Sequence, residues 1–304
     1  MQGTVLYPAK DFMIISFIGT NKGNNHCKRA AATLGSLLSL SNNKKVCIIQ
    51  VCNSETGIEH LMMGKTYERN AINALNIGVD ETGIDGMIRK ASSAKLSKDD
   101  YVAACKAMLN SENRLDILGV SRTKNFMELI PTENRTELIK TIIHDAEKFY
   151  KYVIVVLPND PDVAGRFITE SDINVCCVRQ ADHEEPYLND KKNVFLVPDF
   201  DSESKYTLKE IKKAYHDDDP KAKVFAMPYN IQFRDACFSK ELLRWMYKNY
   251  NADINDFNFT FIDKMQKFTD YVSDTVKDDS EEEDDDTTII VERKKKTLKE
   301  RMGK

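Results

Sequence analysis

Between Gly19 and Arg29 the chain reads Gly-Thr-Asn-Lys-Gly-Asn-Asn-His-Cys-Lys-Arg, which gathers the side chains best suited to anion chemistry. The stretch follows the apolar run Phe12–Ile18 and precedes an alanine-rich segment of helical period. A strand, a glycine-containing loop and a helix, in that order, form a phosphate-binding loop, because free backbone N–H groups and the helix N-terminus hold the anion. Lys22, Gly23, Asn24, Asn25, His26, Cys27, Lys28 and Arg29 are therefore the candidate nucleotide-binding residues. The competing reading is that these side chains are simply solvated, and Cys27→Ala and Lys28→Ala are expected to leave function nearly intact. His26 beside Cys27 raises a reactive thiol, since a helix N-terminus and nearby bases lower a cysteine pKa. A chance substitution in an unconstrained loop is the favoured reading of the pair.

No other constellation points to catalysis. The histidines at 26, 60, 144, 183 and 216 have no ligand spacing, and residues 182–185 and 216–220 read as turns or loops. Seven cysteines (27, 47, 52, 105, 176, 177 and 237) are an odd number without a C-x-x-C pair, several of them inside apolar runs. Such cysteines are small buried hydrophobes rather than a disulfide frame or a zinc site. No catalytic residue and no metal site is expected, and the compartment is expected to be reducing, hence cytoplasmic.

With these residues in view, FIGTNKGNNHCKRAAATLGSLLSLSNNKKVCIIQV resembles the opening of the ParA/MinD family of deviant-Walker P-loop ATPases (the SIMIBI class). EKFYKYVIVVLPNDPD is similar to that family's switch strand, and VFAMPYNIQFRDACFSKELLRWMYKNY to its terminal strand and helix. The resemblance covers roughly residues 12–272, and within the family it is most similar to the atypical branch that includes TadZ/CpaE-type proteins of pilus assembly. It implies a dimer closed around ATP and Mg²⁺. Laid on the family loop, Lys22 takes the lysine that reaches the partner's nucleotide and Gly23 the first glycine. The other two glycines become Asn24 and His26, the phosphate-gripping lysine becomes Cys27, and the Mg²⁺-binding hydroxyl becomes Lys28. The strand-end aspartates fall on Gln50, Cys52 and Val156. Phosphoryl transfer depends on that lysine and that metal clamp, and Mg²⁺ on hard oxygen ligands. The resemblance thus implies a degenerate member with lost or crippled hydrolysis, binding no nucleotide or only weak ATP or ADP, and no Mg²⁺.

The elements that must position this loop are legible as short apolar runs: Phe12–Ile18, Val46–Val51, Leu115–Val120, Tyr152–Leu157, Ile173–Val178, Val194–Val197 and Val224–Met227. Continuous runs are what strands buried on both faces look like. Helical stretches lie between them, over Lys28–Leu40, Asp99–Leu109 and Glu133–Phe149, and two more, Ser239–Tyr250 and Phe257–Val272, close the body. Alternation of this kind makes an α/β fold, a doubly wound, mostly parallel sheet with helices on both faces. Residues 62–110 show no clear strand and read as a helical insertion. The expected organisation is one domain over 1–277 and a disordered acidic-then-basic tail over 278–304.

Composition narrows the function classes. With 41% hydrophobic residues among 304 the chain can bury a sizeable core. No run approaches the roughly 20 apolar residues of a membrane span, and the N-terminus lacks a secretory pattern. The tail carries eight acids over 278–286, then seven bases against two acids over 292–304. Outside it, 37 basic and 38 acidic residues remain, so bulk charge gives no nucleic-acid surface. In the tail, Ile289, Ile290, Val291, Lys294, Lys295 and Lys296 form a candidate partner-docking peptide, with a peripheral contact at the inner face of the membrane as a second reading and a solvated tail as a third. The expected function is localisation or scaffolding within a membrane-associated machine (a pilus, secretion or conjugation apparatus) through protein partners, with a homodimer left open. The alternative is an active ATPase switch for DNA partition or complex positioning, using a non-standard loop.

Overall fold

The computed structural model describes residues 12–19, 24–42, 44–51, 57–63, 83–109, 114–119, 132–158, 161–181, 192–215 and 223–281. Its centre is a strand that every neighbouring element packs around. β1 (Met13–Gly19) lies between β5 (Tyr152–Val156) and β6 (Ile173–Cys177), parallel to both. Beyond β5 come β2 (Val46–Gln50), β4 (Leu115–Leu118) and β3 (Lys106–Leu109); beyond β6 come β7 (Lys192–Phe200) and β8 (Lys223–Pro228). The eight strands run in the order β3-β4-β2-β5-β1-β6-β7-β8, all pairs parallel except β3 with β4. β2, β5 and β6 are buried along their whole length and β1 along all but Gly19, which is why their sequences show no polar alternation.

Side chains alternate across the sheet and build two cores. One joins Ile15, Phe17, Ile48 and Ile154 to α1 (Asn24–Asn42), α7 (Ile231–Phe238), α8 (Leu242–Asn249) and α9 (Phe259–Glu281). The other joins Ile14, Ile49, Val153 and Val155 to α2 (Gly83–Ala91), α3 (Lys98–Ala104), α4 (Thr132–Ala146), α5 (Pro161–Ile168) and α6 (Leu208–Tyr215). The sheet is therefore doubly wound, with helices on both faces, as the sequence pattern requires.

Two expectations need correction. The helix expected over Asp99–Leu109 ends at Ala104, where Cys105 turns extended (φ −80°, ψ 152°). Residues 106–109 then form β3, so the insertion over 62–110 contains a strand as well as helices. As a four-residue, partly exposed edge strand with a register shift against β4, it lacks the buried run that betrays the central strands. At the other end of the chain, α9 runs to Glu281, so its last turn overlaps the start of the acidic run.

Helices α7, α8 and α9 are fastened by side-chain amides. Asn230 accepts from the Phe233 N–H as the N-cap of α7 and donates to Asn258 Oδ1 at 2.9 Å. Asn258, itself buried, donates to Gln232 Oε1 and Asn249 Oδ1, both at 2.9 Å. Removing that hub strands the buried Asn230 amide and breaks the ties to the half-buried Asn249 and the exposed Gln232, and an unpaired buried polar group costs about 1–3 kcal/mol. Asn258→Ala is expected to lower stability by about 2 kcal/mol in urea unfolding, with an unchanged m-value.

Candidate functional site

In a doubly wound sheet the ligand crevice opens beyond the carboxyl ends of the strands, where chain connections diverge to opposite sides. Here the chain leaves β1 through α1 toward β2 and leaves β5 through α5 toward β6, so the divergence lies at the ends of β1 and β5. The described ends of the stretch singled out by sequence, Gly19 closing β1 and Asn24 opening α1, flank that point. Lys22 and Gly23 lie outside the described residues, whereas Asn24 already belongs to α1, with Asn25, His26, Cys27, Lys28 and Arg29 in its first two turns.

The side chains at 27 and 28 do not face solvent. Cys27 is 0% exposed and belongs to the core with Phe17, Val175 and Cys177. Its thiol is within hydrogen-bonding reach of Cys177, and this contact together with burial pushes the Cys177 thiol well above its ordinary range. A reactive thiol at Cys27 is therefore corrected: a nucleophile needs access, and this sulfur has none. Lys28 is 2% exposed and is one of the largest fully buried side chains. The solvated reading of Lys28 is corrected too. Deleting its buried four-carbon stem is expected to cost about 2 kcal/mol, read as a fall in Tm of roughly 4–8 °C.

His26 and Arg29 face the other way, toward the end of β7. Arg29 Nη2 lies 2.8 Å from Asp199 Oδ2 and Arg29 Nη1 3.4 Å from Asp199 Oδ1, while His26 Nδ1 lies 2.8 Å from Arg29 Nη2 and 3.3 Å from Asp199 Oδ2. Burial alone would raise the Asp199 carboxyl, but the hydrogen bonds and charges of His26 and Arg29 outweigh it and hold the group below the usual carboxylate range. Asp199 has φ 52°, in the left-handed region, at the register shift between Val197 and Phe200. Cys237 of α7 lies close enough to feel both Arg29 and Asp199, and burial pushes its thiol up to about 12.

The strand-end positions that would carry acids in a metal-dependent phosphotransferase are built for packing. Gln50 is fully buried, and its Oε1 accepts the Ile58 N–H at 2.9 Å, capping a helical turn. Val156 and Leu157 are 0% exposed, and the Leu157 N–H donates to Phe17 O. Cys52 lies outside the described residues. Glu59 is a carboxylate that the sequence reading did not single out: it is buried beside Gly57 and Gly119, just past the ends of β2 and β4, and a Cβ on either glycine would overlap its carboxylate. Among the described residues no cluster of His, Cys, Asp and Glu could hold a metal ion, and no helix is long and apolar enough to cross a membrane. The docking candidates Ile289, Ile290, Val291, Lys294, Lys295 and Lys296 lie outside the described residues.

No protein-family model matches the chain, and no curated protein matches it by sequence. Its fold does have solved counterparts. A ParA family ATPase from Chlorobium tepidum TLS superposes with TM-score 0.62 at 14% identity, covering 86% of this chain and 98% of that one. MinD in the MinC:MinD cell division complex of Aquifex aeolicus superposes with TM-score 0.55 at 12% identity, covering 85% and 95%. A putative plasmid partition protein from Borrelia burgdorferi B31, bound to AMPPNP, gives TM-score 0.54 at 14% identity, covering 90% and 99%. The chain thus has the fold of ParA and MinD ATPases over most of its length.

Proposed function

We propose that the chain is a binding protein built on the ParA/MinD ATPase scaffold, with lost or crippled ATP hydrolysis. The observation that carries this is Cys27: the position of the phosphate-gripping lysine is filled by a thiol directed into the core beside Cys177. The apolar Val156 and the capping Gln50 support the same reading, because a phosphoryl-transfer site needs hard oxygen ligands and a cation where these side chains pack. The biological role we infer is localisation or scaffolding in a membrane-associated assembly such as a pilus, secretion or conjugation apparatus, in the manner of TadZ/CpaE-type proteins. MinD bound to MinC is a member of the fold held to a protein partner, and a protein partner is what we assign to this chain. Its docking element would be Ile289–Val291 with the basic residues Lys294, Lys295 and Lys296; a homodimer through the shared fold is compatible with this, and nucleic acid is not among the proposed ligands.

The test is a calorimetric titration of the full chain with ATP, with and without Mg²⁺, alongside phosphate release. The expected result is no heat at high micromolar protein and millimolar ATP, with no phosphate released. Mg²⁺-dependent micromolar binding with turnover would overturn the proposal and establish the alternative, an ATPase switch for DNA partition or complex positioning. Deleting residues 287–304 is then expected to abolish partner capture while leaving Tm unchanged.

A further inference from the structure

We propose that Asp199 is a built-in anion that occupies the cationic side of α1 and excludes phosphate from it. The contact is assembled from elements far apart in sequence: α1 supplies Arg29 and His26, the end of β7 supplies Asp199, and Cys237 of α7 lies near Arg29 and Asp199. Arg29 offers its guanidinium to both carboxylate oxygens, at 2.8 and 3.4 Å, with only 14% of its side chain exposed. That geometry is the one by which arginine holds a phosphate or carboxylate ligand, here satisfied within the chain.

The backbone supports a role beyond packing. A non-glycine residue with positive φ is unfavourable, and it persists where the surrounding structure over-determines it. At Asp199 the strand register slips, and the carboxylate is delivered to α1 rather than continuing along β7. The Arg29 and His26 contacts keep the group ionised, so it remains a competing negative charge at neutral pH. His26 Nδ1 can accept from Arg29 or donate to Asp199 but cannot do both at once, so this ring only supplements the arginine contact. An incoming phosphate would meet a neutralised Arg29 and a carboxylate a few ångströms away.

This inference rests on the proposal that the chain has lost ATP chemistry, and its test uses a ligand that does not depend on that loss. The probe is inorganic tripolyphosphate, titrated calorimetrically into the full chain and into Asp199→Asn. Asparagine tolerates the left-handed conformation, so this variant removes the charge and keeps the backbone. The expected result is at least tenfold tighter binding by Asp199→Asn, with the gain lost in the Arg29→Ala/Asp199→Asn double variant. Equal or weaker binding by the single variant, absence of binding in both proteins, or a gain that survives Arg29→Ala would overturn the proposal. Should Asp199→Asn fail to fold, Asp199→Gly takes the same φ without strain and is read in the same way. ATP turnover by the unmodified chain would sink the proposed loss of hydrolysis and this inference with it, whereas equal tripolyphosphate binding by the two proteins without any turnover would sink this inference alone.

Discussion

Cys27→Lys, the substitution that rewrites the family lysine into the loop, is expected to destabilise the protein rather than restore ATP hydrolysis. The side chain at 27 is directed into the core and is 0% exposed, next to Cys177 and within the cluster that includes Phe17 and Val175. A lysine there must bury an ammonium without a carboxylate designed for it, or force its four-carbon chain through close-packed neighbours. Either route costs about 3–5 kcal/mol, which in a body of this size lowers Tm by roughly 10 °C. Calorimetry and a phosphate-release assay on the same sample decide the matter. A variant that melts near the parent and hydrolyses Mg-ATP would show that the first turn of α1 can rotate its side chain outward, and the proposed function would fail with it.

The second large effect is expected at Phe233. Its ring is 1% exposed and lies 4.5 Å from Phe261 and 5.4 Å from Trp245 between ring centres, so one side chain joins α7, α8 and α9. Truncating a buried phenylalanine costs about 3–5 kcal/mol, and each lost aromatic pair lies within that range. Phe233→Ala is therefore expected to cost about 4 kcal/mol. Trp245 is the chain's one tryptophan, so its emission reports this site alone. A red shift in the folded variant, together with a lower urea midpoint, is the expected signature. An unchanged spectrum with a small stability loss would mean that α8 closes the gap.

How much of this was legible beforehand depends on the residue. The central strands were readable because burial on both faces writes a continuous apolar run, and β1, β2, β5 and β6 each carry one. β3 was not, since an edge strand of four residues has no such run and its Lys106–Leu109 segment prolongs the pattern of the helix before it. The inward turn of Cys27 had a signal. Cys27, Ala31, Leu34 and Leu38 are spaced as one helical stripe, all fully buried, but the stripe shows only if the helix is begun at Asn24 rather than at Lys28. Asp199 had none: its partner Arg29 is 170 residues away, and a left-handed φ at an aspartate leaves no mark in composition. Glu59 was equally silent, because two separate glycines make its room.

The long C-terminal helix gives the molecule a direction. α9 starts beside Asn230, at the carboxyl end of the sheet. It ends its described packing at the opposite pole, where Ser273 meets Tyr152 at the start of β5 and Thr275 meets Lys192 at the start of β7. Its 23 residues rise about 34 Å. The described part of the chain therefore ends near the pole opposite Arg29 and Asp199. A partner tethered there would hold the molecule by its base and leave the other pole pointing outward, like a post set in the ground.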